Sequence, residues 1–122
     1  MSDLILIVDD ARFARRIERK ALEDAGFENI IEAKMASEAF EIFKEKKPEL
    51  TLLDITLPDN SDLTLLKRML KERPDAKIIM NSAIGQELII SDALEIGAKD
   101  FITKPFKEKE FIEKVVRVIK NV

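Results

Sequence analysis

The sequence predicts an α/β fold built on a doubly wound parallel sheet, and three observations carry that prediction. Short aliphatic runs alternate with longer stretches of helical periodicity five times along the chain. The first run, Leu4 to Val8, is apolar at every position, as a central parallel strand covered on both faces requires. The helical stretches stop at or before Gly26, Pro48, Pro74 and Gly97, residue types that end helices. Such alternation calls for right-handed crossovers, which put helices on both faces of a five-stranded sheet. The 122 residues amount to one domain, 1–122, with no Ser/Gly/Pro-rich linker inside it.

Each element has its own signal. After the first strand, Phe13, Ile17 and Ala21 recur at every fourth position, the apolar stripe of a first helix that Gly26 can end. Ile30 and Ile31 mark the second strand, and Ala36, Phe40 and Phe43 share one face of the second helix. Leu50 to Leu53 is the third strand, followed by a helix carrying Leu63, Leu66 and Leu70. Ile78 to Met80 is the fourth strand, and Leu88 to Ile96 lies on the fourth helix. Phe101 and Ile102 form the fifth strand, and Phe111, Val115, Val118 and Ile119 line the last helix. Leu88, Ile89, Ile90, Ala93, Leu94 and Ile96 are more apolar residues than one inward stripe needs. That excess predicts exposed apolar area on the fourth helix, a feature that tends to mark interaction sites.

Composition removes whole classes of chemistry. With no Cys there are no disulfides, thiol nucleophiles or thiolate metal sites. With no His, the commonest general base and nearly all zinc chemistry are gone. Any metal must therefore be a hard cation held by oxygen. A net charge of −3 argues against nucleic-acid and anionic-membrane binding, and no apolar run is long enough to span a bilayer. The expectation is a soluble cytoplasmic protein.

In open α/β sheets, ligands bind outside the carboxyl ends of the strands. Here the first strand runs into Asp9 and Asp10, and the third ends on Asp54. The fourth is followed by Asn81-Ser82-Ala83 and the fifth by Thr103-Lys104-Pro105. If strands one and three are neighbours, about 4.8 Å apart, three carboxylates meet at one rim. Two such charges at 4 Å repel by about 4 kcal/mol at an effective dielectric of 20, so folding alone does not favour the cluster. A cation would account for it, and a few protein oxygens suit Mg²⁺, which keeps several waters. Singly, each residue has a plainer role. Asp9 or Asp10 suits a helix cap, Asp54 a turn, Ser82 the approach to a helix, and Lys104 a solvated surface. Their joint occurrence is what points to chemistry.

The pair Asp9-Asp10, Asp54 with Pro58 four residues on, Ser82-Ala83 and Lys104-Pro105-Phe106 together resemble the receiver domain of two-component response regulators. The resemblance covers the whole chain, and Asp9-Asp10-Ala11-Arg12-Phe13 looks most like the single-domain, CheY-like chemotaxis members. It implies a flavodoxin-like sheet of strand order 2-1-3-4-5. It implies that Asp54 accepts a phosphoryl group from a histidine kinase or phosphotransfer protein. Asp9, Asp10, Asp54 and the backbone carbonyl of Thr56 would hold Mg²⁺, and Ser82 and Lys104 would contact phosphoryl oxygens. Ser82 and Phe101 would relay the event to a separate output protein, a motor or adaptor. Such a chain is no enzyme beyond catalysing its own phosphorylation and dephosphorylation. A carboxylate can serve as the nucleophile, and positioning plus charge neutralisation does most of the catalysis, so a missing His fits an acceptor.

The chain also departs from the family. Asp62 stands eight residues after Asp54, where Gly is usual, so Asn60 or Ser61 is expected to absorb the turn. Phe101 offers a ring without a polar handle, and Ile84 is apolar where relatives are often polar. Arg12, Arg16 and Arg19 form a basic stripe on the first helix, either a solvated face or a docking face for an acidic kinase partner. Two other functions compete with the switch. One is a degenerate receiver that binds partners without phosphorylation. The other is a Mg²⁺-dependent phosphatase of the haloacid dehalogenase type, which wants a second Asp where this chain has Thr56.

Overall fold

Strands β1 (Ile5–Val8), β2 (Ile30–Ala33), β3 (Leu50–Asp54), β4 (Ile78–Ser82) and β5 (Asp100–Thr103) pair in parallel, in the order β2-β1-β3-β4-β5. Between and after them run helices α1 (Arg12–Asp24), α2 (Ala36–Lys46), α3 (Thr64–Glu72), α4 (Glu87–Ile96) and α5 (Glu108–Lys120). This computed structural model describes residues 3–60 and 62–121. Both faces of the sheet are covered. Leu6 and Val8 of β1 point into a cluster shared with α2, α3 and α4, while Ile5 and Ile7 point into one shared with α1 and α5. That split is the period-two alternation of a strand buried on both sides.

Three strands reach further than their aliphatic runs suggested. β3 includes Asp54, β4 includes Asn81 and Ser82, and β5 includes Thr103. The ladder pairs Asp54 with Asn81 and Ser82 with Thr103, so polar residues at the carboxyl edge belong to the sheet rather than to loops.

Helix α1 corrects the predicted stripe. Phe13 is 74% exposed and Ile17 43% exposed, whereas Glu18, Ala21 and Leu22 are buried. Ion pairs hold the helix in this rotation. Arg15 Nε and Arg19 Nε donate to the two carboxylate oxygens of Glu32 on β2, at 2.9 and 2.6 Å. Arg15 and Arg19 also donate to the carbonyls of Asp9 and Ile30. Arg19 is thereby removed from the predicted basic stripe, leaving Arg12 and Arg16 exposed.

The loop after β3 also differs from expectation. Asp62 and Leu63 themselves take positive φ, 49° and 61°. Asp62 thus adopts the left-handed conformation that Gly adopts freely and that Asp tolerates better than most residues. Leu63 precedes α3 rather than lying in it, buried with its backbone left-handed. Asn60 does not absorb the turn; its side-chain oxygen accepts the Leu65 N–H at the start of α3. Ser61 lies outside the described residues. Asp59 reaches across to α2, accepting the N–H groups of Ala36 and Ser37 at 2.6 and 3.0 Å. Those bonds hold its carboxyl below the usual carboxylate range.

Candidate functional site

The carboxyl edge of β1, β3, β4 and β5 gathers most of the predicted residues. Asp9 follows β1 fully buried, Asp10 next to it is exposed, and Asp54 closes β3 with 8% of its surface exposed. One carboxylate oxygen from each lies within 4.8 Å of the others. Lys104, arriving from β5, donates to Asp9 Oδ2 at 2.5 Å and reaches Asp54 Oδ2 at 3.4 Å. The Asp9 carboxylate also accepts the Ala11 N–H at 2.9 Å, so it caps the approach to α1 as well. The acidic repulsion anticipated from the sequence is therefore balanced in this structure by a lysine. All the converging ligands are oxygens, which fits a hard divalent cation and no softer metal.

Burial and charge shape the titration of these groups. Burial raises the Asp54 carboxyl, the Lys104 charge pulls it down and the Asp9 charge pushes it up; the result is about 6. Burial alone would lower Lys104, but the bond to Asp9 and the charges of Asp54 and Asp9 outweigh it and hold the ammonium above its usual range. The lysine is firmly charged.

Thr56 and Ser82 flank Asp54. The Thr56 N–H donates to Asp54 Oδ1 at 3.2 Å, fixing the first turn of the loop after β3. Ser82 is buried at the last position of β4, its carbonyl accepting the Lys104 N–H at 2.8 Å. The Lys104–Pro105 peptide that follows is cis. Phe101 is half-buried and shares with Ser82, Ile90 and Leu94 a cleft of about 320 Å³ between α4 and β5. The Lys114 ammonium sits 4.4 Å from the Phe101 ring centroid. Six of the seven predicted residues thus come together at this edge, and Phe101 lies one cleft away from the carboxylates.

Sequence reasoning missed Glu18. It is fully buried on α1, and its Oε1 accepts the Asn81 side-chain N–H at 2.6 Å. Burial first, then the charge of Asp9, push its carboxyl up to about 8, against smaller opposing pulls from Lys104 and Asn81. Its other oxygen, Oε2, and Asn81 Oδ1 are both buried without a partner. A proton on Oε2 turns one of these unpartnered acceptors into a donor. The available signal was slight: a lone acid inside the run Arg15-Arg16-Ile17-Glu18-Arg19-Lys20.

Comparison with known proteins agrees with this geometry. The model of the response regulator receiver domain matches residues 5–116. The chain is 41% identical over 120 residues to the chemotaxis protein CheY of Thermotoga maritima, spanning 98% of this chain and all of that one. It is 39% identical over 119 residues to the phosphate regulon transcriptional regulatory protein PhoB of Pseudomonas aeruginosa, covering 96% of this chain and 52% of that protein. Among solved structures, the receiver domain of NtrX from Brucella abortus superposes with a TM-score of 0.91 at 32% identity, over 97% of this chain and 99% of that one. A CheY-like receiver domain protein from Methanospirillum hungatei gives 0.90 at 29% identity, over 98% and 94%. A sheet of this order, an acidic edge closed by a lysine, a receiver-domain match over residues 5–116 and a CheY matched end to end lead to one family: the chain is a response regulator receiver domain of the CheY-like kind.

Proposed function

We propose that this protein is the phosphoryl-acceptor switch of a chemotaxis-type two-component pathway. An Asp54 oxygen attacks the phosphorus of a phosphohistidine on a kinase or phosphotransfer protein. The new O–P bond forms as the N–P bond breaks, and the histidine leaves with the nitrogen's electron pair. The observation that carries this reading is the Asp54 carboxylate at the end of a buried strand, with the Lys104 ammonium 3.4 Å away. That lysine can turn from Asp9 to a phosphoryl oxygen without leaving the edge, and the Ser82 hydroxyl stands on the next strand. Asp9, Asp10 and Asp54 with the Thr56 carbonyl would hold Mg²⁺, which when bound neutralises charge on the carboxylates and the incoming phosphoryl oxygens.

Two exposed apolar surfaces support separate partners. Phe13 and Ile17 line a cleft of about 320 Å³ with Pro105 and Phe106, and the exposed Arg12 and Arg16 lie on the same helix. This face suits docking of the phosphodonor, since it adjoins Lys104. Ile84, Leu88, Ile89 and Leu94 are exposed around α4, beside the Ser82–Phe101 cleft. That face suits an output protein, a motor or adaptor, whose binding changes when a phosphoryl group draws Ser82 inward and Phe101 moves into the vacated space. Catalysis is confined to the chain's own phosphorylation and dephosphorylation, and a cytoplasmic location belongs to the same reading. Among the described residues no helix is long and apolar enough to cross a membrane.

A phosphorylation-independent receiver drew its support from Asp62, but the backbone there accommodates Asp in the conformation Gly would take. The deciding experiment is incubation with acetyl phosphate, with and without Mg²⁺, read by intact mass. One phosphoryl adduct is expected in the wild type with Mg²⁺, and none in Asp54→Asn. An adduct that persists in Asp54→Asn overturns the assignment, and no adduct at all transfers the reading to phosphorylation-independent binding.

A further inference from the structure

Gln86 is a residue for which neither the family motif nor the acceptor chemistry has a use, yet its side chain spans the rim of the site. Its Oε1 accepts the Ala83 N–H at 2.7 Å, and its Nε2 donates to Thr56 Oγ1 at 3.3 Å. Gly85, at φ 97°, makes the turn that lets the side chain fold back over the loop after β4. One end of this bridge is therefore the residue following Ser82, and the other is the residue whose N–H holds Asp54. Gln86 also lines both clefts beside α4. One is the cleft of about 320 Å³ shared by Ser82 and Phe101, the other a cleft of about 660 Å³ between α3 and α4.

We propose that Gln86 is a positioning residue that straps the β4–α4 loop to the β3–α3 loop in the resting state, and that a phosphoryl group on Asp54 releases it. This rests on Asp54 being the acceptor, and it specifies how the site is held before the reaction. The physical reason is competition for donors. Asp54 pairs with Asn81 across the ladder and the Ile55 N–H donates to the Asn81 carbonyl, so the chain that continues through Ser82 to Ala83 runs beside the Asp54 end of β3, within reach of a group carried there. A phosphoryl group brings three acceptor oxygens and a charge of about −1.5 to −2. Hydrogen bonds to an ionised acceptor are roughly twice as strong as those to a neutral one, so a phosphoryl oxygen outcompetes the Gln86 carboxamide for a nearby N–H. Until then, the bridge keeps that N–H occupied and the two loops at a fixed separation. A plain helix-capping role explains neither bond, since the Gln86 side chain caps no N–H of α4. Gln86 precedes α4 and reaches back to Ala83, but the bond to Thr56 crosses to another strand's loop.

The test compares wild type, Gln86→Ala and Gln86→Glu at saturating Mg²⁺ and acetyl phosphate, with the Ala83 amide followed by NMR. Gln86→Ala frees the Ala83 N–H and is expected to speed adduct formation about two- to tenfold, the range that one net neutral hydrogen bond represents. Gln86→Glu offers a charged acceptor to both Ala83 and Thr56 and is expected to slow it. In the wild type the Ala83 amide resonance should shift on phosphorylation, and in Gln86→Ala the unphosphorylated resonance should already be displaced. Equal rates in all three proteins, or a slower Gln86→Ala, would overturn the strap; a merely structural bridge predicts that slower, less stable variant. Failure of the wild type to form any adduct would instead remove the acceptor reading, so the two failures are separable.

Discussion

Lys104→Met is expected to destabilise the protein by about 2–4 kcal/mol at pH 7 without divalent cations. Removing one partner of a buried ion pair typically costs about 3–5 kcal/mol, and the lower figure allows for solvent around the lysine. The lysine side chain is 27% exposed, but the Asp9 side chain it neutralises is only 1% exposed. Without the ammonium, Asp9 and Asp54 face each other with no counter-charge among the bonds that now hold them. The loss should shrink as pH falls, because Asp54, raised to about 6 even with the lysine pulling it down, takes up a proton more readily without it and relieves the repulsion. Millimolar Mg²⁺ should restore part of it by binding the folded state. Urea unfolding at pH 7 and pH 5, with and without Mg²⁺, measures all three effects. A Lys104→Met midpoint within error of the wild type would mean that the triad is not electrostatically coupled.

The second large effect concerns the acid beneath the site. Glu18 titrates at about 8 in the folded protein against an unfolded value near 4.5. The folded state therefore holds the proton more tightly. Its contribution is fully present below pH 4.5 and is lost as pH rises through 8, at about 1.4 kcal/mol per unit between those values. Across the whole window that amounts to about 4–5 kcal/mol. Glu18→Gln keeps the shape of the protonated acid, carries no charge at any pH and keeps an oxygen for the Asn81 side-chain N–H. It should match the wild type at pH 4.5, exceed it progressively up to about pH 8 and keep a level advantage above that. Thermal unfolding of both proteins across that range, at constant ionic strength, reads the slope directly. Parallel pH profiles for Glu18→Gln and wild type would show that Glu18 is not held protonated.

Period and punctuation made most of the fold legible. Aliphatic runs, Gly and Pro stops and strict alternation were enough to place ten elements and the parallel sheet, and the family resemblance supplied the strand order now seen. The acids, Ser82 and Lys104 were legible because polar residues directly after aliphatic runs must land at one edge. What failed was the rotation of α1. Periodicity counts apolar residues, and by that count Phe13 and Ile17 belong inside. The helix instead turns its Glu18 side inward because Arg15 and Arg19 are pinned to Glu32, a contact between residues 13 and 17 positions apart. No local pattern reports such a pairing. The Asp59 bonds to α2 and the Gln86 bridge were invisible for the same reason: each joins segments that meet only once the sheet has formed. By contrast, the apolar excess on α4 was readable, and Leu88, Ile89 and Leu94 are indeed exposed.

Asp54 and Ser82 are the final rungs of a ladder rather than the first residues of loops, and this has a mechanical consequence. The sheet acts as the fixed jaw of a caliper. Strand spacing, set by backbone pairing at about 4.8 Å, holds the Asp54 carboxylate and the Ser82 hydroxyl at a gauge that side-chain changes elsewhere hardly alter. The loops beyond are the moving jaw, free to vary in sequence and to travel when a group is clamped. In the proposed switch, the exposed surfaces of α1 and α4 can change in sequence while the measuring edge stays untouched. Substitutions that retune the signal are therefore expected to concentrate beyond Asp54 and Ser82, and those that abolish it at the rungs themselves.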